Sequence, residues 1–297
     1  MTGNVITIQP SAPAAPPRSR GFWEGAWRRF RQNQLTIFGL VTVFAIVLIG
    51  LFAPQLAPYA YDTIQPSDAL QGPSRAHPFG TDTLGRDMLS RIIYATRPML
   101  IVGVVTQLVG VLIGAPLGLI AGYTGGAIDW LVTRLIDLFS ALPWYLIVLY
   151  LVMVLSPSLQ NLVLALTITS WVGSARIVRA LTLATRERDY ILAARLIGAS
   201  PGRIMLRHVL PQVLPLLIWS FAVGIPVAIF AEAGLSFIGM GIRPPQPSWG
   251  QMLAEAGAYW QYSPHMVVFP SLMITLSVLA FQLLADGVRE ALDVRAG

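Results

Sequence analysis

Six stretches of the chain run without a charged side chain: 35–53, 98–121, 138–155, 157–175, 209–231 and 266–285. A membrane-spanning helix needs about 20 apolar residues, with a range of roughly 17–25, so the pattern predicts six transmembrane helices. The third and fourth are separated only at Ser156-Pro157, which predicts a tight helical hairpin turning there. The first run is too long and too far into the chain for a cleaved leader, and Pro54 and Pro58 spoil a small-x-small cleavage site. Ahead of it, Trp23, Trp27 and Phe30 recur at i, i+4 and i+7 with Arg28, Arg29 and Arg31 on other faces. That spacing predicts a short interfacial helix. Residues 1–20, rich in Pro and Ala, show no hydrophobic period and are expected to be disordered.

The chain thus divides into a tail with its interfacial helix (1–34), a first span with a long external segment (35–97), a five-helix core (98–285) and a second tail (286–297). Composition sharpens this. Of 297 residues, 55% are hydrophobic and 11% charged, against about 25% charged in a soluble domain. A large soluble core is excluded because the apolar residues fall in long uncharged runs. The class is an all-α integral membrane protein embedded in a lipid bilayer.

Charge adds orientation. All 20 basic residues are Arg. Fifteen lie in the segments 1–34, 122–137, 172–208 and 286–297, against five (Arg75, Arg86, Arg91, Arg97 and Arg243) on the other side. The positive-inside rule then puts both termini in the cytoplasm. The outer side holds 54–97, a turn near 156–160 and a loop at 239–265. The net charge of +6 does not point to nucleic acid, because no aromatic platform is interleaved with the Arg. With neither Lys nor Cys, the chain has no Walker A lysine, no Schiff-base lysine and no thiolate. No catalytic residue is expected; if ATP drives the protein, another chain hydrolyses it. Scattered His without Cys give no metal-ligand cluster.

Two charged features sit near the spans. Asp129, Arg134 and Asp137 precede the third, with Arg134 and Asp137 spaced i, i+3; they read as a network at the cytoplasmic rim or inside the bundle. Glu232, followed by Ser236, lies near the outer end of the fifth. A carboxylate there either lines a pathway or outer gate, or binds water or backbone at the helix end.

The basic loop before the fifth span carries the most local information. It reads Arg188-Asp189-Tyr190-Ile191-Leu192-Ala193-Ala194-Arg195-Leu196-Ile197-Gly198-Ala199-Ser200-Pro201, then Arg203, Arg207, His208, Leu210 and Pro211. Two short helices are predicted. The first stops near Gly198. Ser200 caps the second, with Pro201 at its first position, and Pro211 marks entry to the next span. Small Ala193, Ala194 and Gly198 allow another surface to approach closely.

Here the sequence resembles the membrane permeases of bacterial ABC importers. Ala193, Ala194, Gly198, Leu210 and Pro211 match their Glu-Ala-Ala-x-x-x-Gly loop and its Leu-Pro end, with Leu192 in place of the Glu. The resemblance narrows to the dipeptide/oligopeptide/nickel subfamily, and to its second (C-type) permease subunit, on three long motifs. These are His77-Pro78-Phe79-Gly80-Thr81-Asp82 running on to Arg86-Asp87, then Ala231-Glu232-Ala233-Gly234-Leu235-Ser236, and Pro244-Pro245-Gln246-Pro247-Ser248-Trp249-Gly250.

The resemblance implies a type I ABC importer permease bundle in the bacterial inner membrane. Its partners would be a homologous second permease, two cytoplasmic ATPase subunits carrying the ATP and Mg, and an external solute-binding protein. Residues 186–208 become the coupling loop. Tyr190, Ala193, Ala194, Arg195, Gly198, Ala199, Ser200 and Pro201 would meet the ATPase, although the loop Arg can equally face lipid headgroups. His77, Asp82, Arg86 and Asp87 would either contact the binding protein or build an outer subdomain, with Thr81 or Asp82 opening a helix and Arg86 bonding nearby carboxylates. Di- or oligopeptides lead as cargo, with nickel chelates, glutathione, opines and oligosaccharides as alternatives. A secondary transporter and a non-transporting scaffold are the readings outside this class.

Overall fold

The computed structural model describes residues 22–292. The expectations for residues 1–20, for the Trp23 side chain and for the end of the 286–297 tail lie outside the described residues.

Helix α1 (Phe22–Gln32) leads into α2 (Gln34–Leu51), opened by the Asn33 side-chain oxygen, which accepts from Leu35 N at 3.0 Å and Thr36 N at 3.2 Å. A single turn, α3 (Ala53–Leu56), ends the first span. α4 (Met88–Thr124) begins well before the uncharged run that predicted it. Neither Thr81 nor Asp82 opens a helix. Asp87 does, its carboxylate accepting from Ser90 N at 2.7 Å, while Asp82 Oδ1 holds the preceding turn, accepting from Leu84 N at 2.9 Å and Arg86 N at 3.0 Å.

The third span differs from expectation. Residues 138–155 do not form one helix: α5 (Gly126–Ala141) and α6 (Trp144–Leu155) meet at an angle of 82°. The break is local chemistry. Leu142 is held extended, at φ −102° and ψ 143°, as a residue preceding proline prefers. Since α6 has only 12 residues, it crosses a membrane only together with α5. Five helices are long and apolar enough to cross a membrane, and the bent pair counted as one span brings the number to six.

α7 (Leu159–Arg186) follows the predicted hairpin turn, which Asn161 Nδ2 closes by donating to the carbonyls of Leu155 and Ser156 at 2.6 and 2.8 Å. The helix runs past the expected end of the span, so Arg176 and Arg179 are helical. α8 (Asp189–Leu196) and α9 (Pro201–Ile204) come next. α9 continues through a π-helical turn, Met205–Val209, into α10 (Leu210–Phe237). The expected boundary at Pro211 is therefore absent; the helix runs on through the proline, which follows directly on the π-helical turn. α11 (Trp249–Ala256) and α12 (His265–Leu292) complete the chain.

Packing of the bundle centres on α4 and α7. Gly110, Gly114, Gly118 and Gly122 form a stripe along α4, one residue per helical turn. A Cβ on Gly114 would lie 2.4 Å from the Trp171 carbonyl oxygen, and one on Gly118 the same distance from that of Ala175. Two helix backbones thus touch, the close approach that small residues permit in membranes. At one end α1 is tied to α12: Arg29 donates to the Ala291 carbonyl at 2.9 and 3.2 Å, and Asn33 to Glu290 at 2.8 Å. The exposed face of α2 carries Leu35, Phe38, Val41, Phe44 and Leu51 and no polar side chain among these, a surface suited to lipid.

Candidate functional site: loop, hood and cleft

The loop end of the bundle carries α8 and α9. Ile191 and Ala194 are buried there with Leu119, Val178, Ile204 and Val213, fastening α8 to the ends of α4, α7 and α10. Gly198, at φ +83°, takes the left-handed conformation that ends α8 and favours glycine. Ser200 Oγ then accepts from Arg203 N at 3.4 Å, with Pro201 as the first residue of α9. The turn thrusts Leu196 and Ile197 outward, 89% and 86% exposed. Tyr190, Leu192, Ala193, Ser200 and Pro201 share the exposed surface, Ala199 is half-buried, and Ala194 faces inward. The Arg195 guanidinium lies over the Tyr123 ring of its own chain at 5.0 Å. Nearby, Arg179 Nη2 donates to Asp129 at 2.8 Å, so Asp129 pairs across helices. Arg134 and Asp137 form an exposed pair at 3.9 Å.

The opposite end is closed by a hood made of residues 57–87 and α11. All four hood residues singled out in the sequence are buried. His77 Nδ1 is 2.9 Å from Asp87 Oδ1. Arg86 Nε donates to Asp82 at 2.7 Å and its Nη2 to Glu255 on α11 at 3.1 Å. Arg91 of α4, almost wholly buried, bonds both Asp82 and Glu255. The hood is pinned to α12 as well: His265 Nε2 lies 3.1 Å from the Thr81 carbonyl oxygen, and Phe79 stacks on Phe269 at 3.9 Å.

Glu232 belongs to the same end. It is buried in α10, and its Oε1 accepts from Ser236 Oγ at 2.7 Å and Ser248 Oγ at 2.6 Å. Ser236 Oγ also accepts from Ile242 N at 3.2 Å. The carboxylate thereby clamps the loop between α10 and α11, while Trp249 Nε1 donates to the Ile92 carbonyl of α4 at 3.2 Å.

Sequence reasoning missed a third feature. Halfway along the bundle, α4, α7 and α10 surround a cleft of about 380 Å³, edged by Trp144 of α6. Its wall is mostly apolar, with Leu166, Ile177, Val223 and Val227, interrupted by Thr106, Gln107, Ser170, Ser174, Trp219 and Ser220, and none of its lining residues is charged. Trp219 is held from outside by the Arg289 guanidinium, 5.0 Å above its ring. The signal was available as hydroxyl and amide positions interrupting three apolar runs.

A bundle of five long apolar helices and one bent helix pair, with a two-helix knob at one end and an uncharged, largely apolar cleft halfway through, has the architecture of a transport permease. Residues 114–297 match the family described as the binding-protein-dependent transport system inner membrane component. Residues 21–73 match the N-terminal TM domain of oligopeptide transport permease C. A dipeptide transport system permease protein of Alkalihalophilus pseudofirmus is 39% identical over 293 residues, covering 97% of this chain and 96% of that protein. A glutathione transport system permease protein of Pectobacterium atrosepticum is 40% identical, covering 91% and 90%. An oligopeptide transport system permease protein of Bacillus subtilis is 36% identical, covering 93% and 90%. Among solved structures, the inward-facing MetNI methionine ABC transporter shares the fold, with a TM-score of 0.57 at 20% identity over 69% of this chain and 98% of that one. The chain belongs to the binding-protein-dependent transport system inner membrane component family, as a multi-pass permease subunit of an ABC importer that works with separate ATPase and substrate-binding components.

Proposed function

We propose that this chain is the C-type permease of an importer for di- or oligopeptides, paired with a homologous second permease and driven by two ATPases on the α8 side. The knob at α8–α9 carries this reading. Its inward residues, Ile191 and Ala194, lock it to three long helices, and its outward ones, Leu196 and Ile197, are apolar and free to enter a partner's cleft. Movement of an ATPase seated on Tyr190, Ala193, Gly198, Ala199, Ser200 and Pro201 would then reach α10 directly, because α9 runs into that helix. Shape and rigidity suffice for such coupling, so Leu192 can replace an acidic residue. Arg195, turned onto Tyr123, would stiffen the knob. The absence of Lys leaves ATP hydrolysis to the partners.

In this reading both termini and the knob face the cytoplasm, as the Arg distribution favours, and the hood faces the binding protein. His77, Asp82, Arg86 and Asp87 would give the hood its shape beneath the docking surface, and Glu232 with Ser236 would form part of the outer gate. Peptides are favoured as cargo by the dipeptide and oligopeptide relatives, and the glutathione relative keeps a short γ-linked peptide as the second reading.

Co-expression with the neighbouring reading frames tests the proposal. The expected result is co-purification with a second permease and ATPases, and liposome ATPase activity raised by the cognate binding protein. Purification of the chain alone, with no ATPase recruited, would favour a secondary transporter or scaffold.

A further inference from the structure

Where α1 meets the first span, arginines stand directly beside an apolar belt. Residues 18–34 hold five of them, Arg18, Arg20, Arg28, Arg29 and Arg31, against a single acid, Glu24. Arg29 turns inward, donating to the Ala291 carbonyl of α12. Arg28 and Arg31, three residues apart on α1, are exposed. Arg31 lies over the Trp27 ring at 5.8 Å, and that ring, 58% exposed, stacks on Phe30 at 5.9 Å. Only Asn33 separates α1 from α2, and the exposed stripe of Leu35, Phe38, Val41 and Phe44 begins at the second residue of α2. The carboxylates at the adjoining end of α12 are engaged by amides: Glu290 accepts from Asn33 Nδ2 at 2.8 Å and Asp286 from Gln282 Nε2 at 3.2 Å. Among the described residues, neither Arg28 nor Arg31 forms an ion pair.

We propose that α1 and the start of α2 form a docking surface for an anionic phospholipid, its headgroup phosphate on Arg28 and Arg31 and its acyl chains along Leu35, Phe38 and Val41. Charge complementarity selects the headgroup. Guanidinium groups present paired N–H donors that match phosphate oxygens, and a net negative headgroup lacks the ammonium that offsets the phosphate of phosphatidylcholine. Trp27 and Phe30 supply the aromatic contact characteristic of the headgroup level. Continuity with α2 selects a lipid over a soluble protein. The stripe that follows the arginines is wholly apolar. From Leu35 to Phe44 it rises about 14 Å, close to half of the roughly 30 Å hydrocarbon core. Binding there reaches the rest of the bundle. α1 is tied to α12 through Arg29 and Asn33, and α2 packs closely on α12, where a Cβ on Gly39 would lie 2.9 Å from the Ala280 carbonyl oxygen. A lipid that holds α1 therefore stabilises the corner of α1, α2 and α12. The surface involves neither cargo nor ATPase and goes beyond the peptide-importer reading.

Thermal unfolding of the chain in a nonionic maltoside detergent tests this, with dioleoyl-phosphatidylglycerol or dioleoyl-phosphatidylcholine titrated in. A ligand of the folded state raises the midpoint as its concentration rises. The wild type is expected to gain with phosphatidylglycerol and not with phosphatidylcholine. Arg28→Gln with Arg31→Gln should need about 25-fold more phosphatidylglycerol for the same shift, about fivefold for each cation removed near a membrane surface. Arg28→Lys with Arg31→Lys keeps the charge and should recover most of the gain. Arg203→Gln with Arg207→Gln removes two exposed arginines elsewhere and should respond as the wild type does. Each reading is a lipid-dependent shift within one variant, so a lower starting midpoint does not obscure it. A wild type that gains from neither lipid, or equally from both, would overturn the proposal. So would an undiminished gain in the Arg28→Gln, Arg31→Gln variant, or an equal loss in the Arg203→Gln, Arg207→Gln variant, which would show only a diffuse attraction of lipid to arginine.

Discussion

Arg91 on α4 donates to Glu255 on α11 at 2.9 Å across 164 positions of sequence, and its Nη1 also bonds Asp82. This one guanidinium, almost wholly buried, joins a spanning helix to both parts of the hood. An arginine in that position is tolerable only while its carboxylates remain, since an unpaired buried charge is far costlier than the pair.

Loss of Asp82 should therefore be severe. Asp82→Asn removes the fully buried carboxylate shared by Arg86 and Arg91, at a cost of about 3–5 kcal/mol. Glu255→Gln acts on a partner that is 25% exposed and should cost only about 1 kcal/mol. Thermal unfolding of the detergent-solubilised protein measures both; equal shifts would mean the network is not organised around Asp82.

The Glu232 clamp depends on acceptor geometry more than on charge, because its two partners are hydroxyl donors. Glu232→Gln should retain a closed loop between α10 and α11. Glu232→Leu and Ser248→Ala should loosen it, the latter by about 1 kcal/mol. Limited proteolysis between residues 239 and 248 reads the difference, and identical protection in all three variants would contradict the clamp.

Along α4 the stripe of glycines sets helix spacing. Gly118→Ala puts a methyl 2.4 Å from a backbone oxygen of α7, and overpacking of this kind costs about 1–3 kcal/mol. Gly173→Ala is the control, since nothing lies within 4 Å of its Cβ position. Its melting temperature should match that of the wild type while Gly118→Ala falls.

What could be read from the sequence was local. Gly198, Ser200 and Pro201 specify the α8–α9 turn by their own backbone chemistry, and the Ser156-Pro157 hairpin was equally visible. The break at Leu142-Pro143 was also encoded locally, but a count of uncharged residues passes over a proline. Asp87 rather than Asp82 opens α4; the Asp82 carboxylate instead holds the turn ahead of it, accepting from Leu84 N and Arg86 N, and bonds the Arg86 and Arg91 guanidinium groups. The pairing of Arg179 with Asp129 spans 50 positions, and that of Arg91 with Glu255 spans 164. No periodicity reports such contacts. The cleft stayed hidden for the same reason: Thr106, Ser170 and Trp219 meet only when three helices are assembled.

The most direct test of the account is a charge placed on the knob. Leu196→Asp with Ile197→Asp alters two side chains that are 89% and 86% exposed, so the chain should still fold and purify. The prediction is that the ATPases no longer co-purify and that ATP-driven uptake into proteoliposomes drops to background. An ATPase-bound complex with undiminished uptake would contradict coupling through α8 and α9.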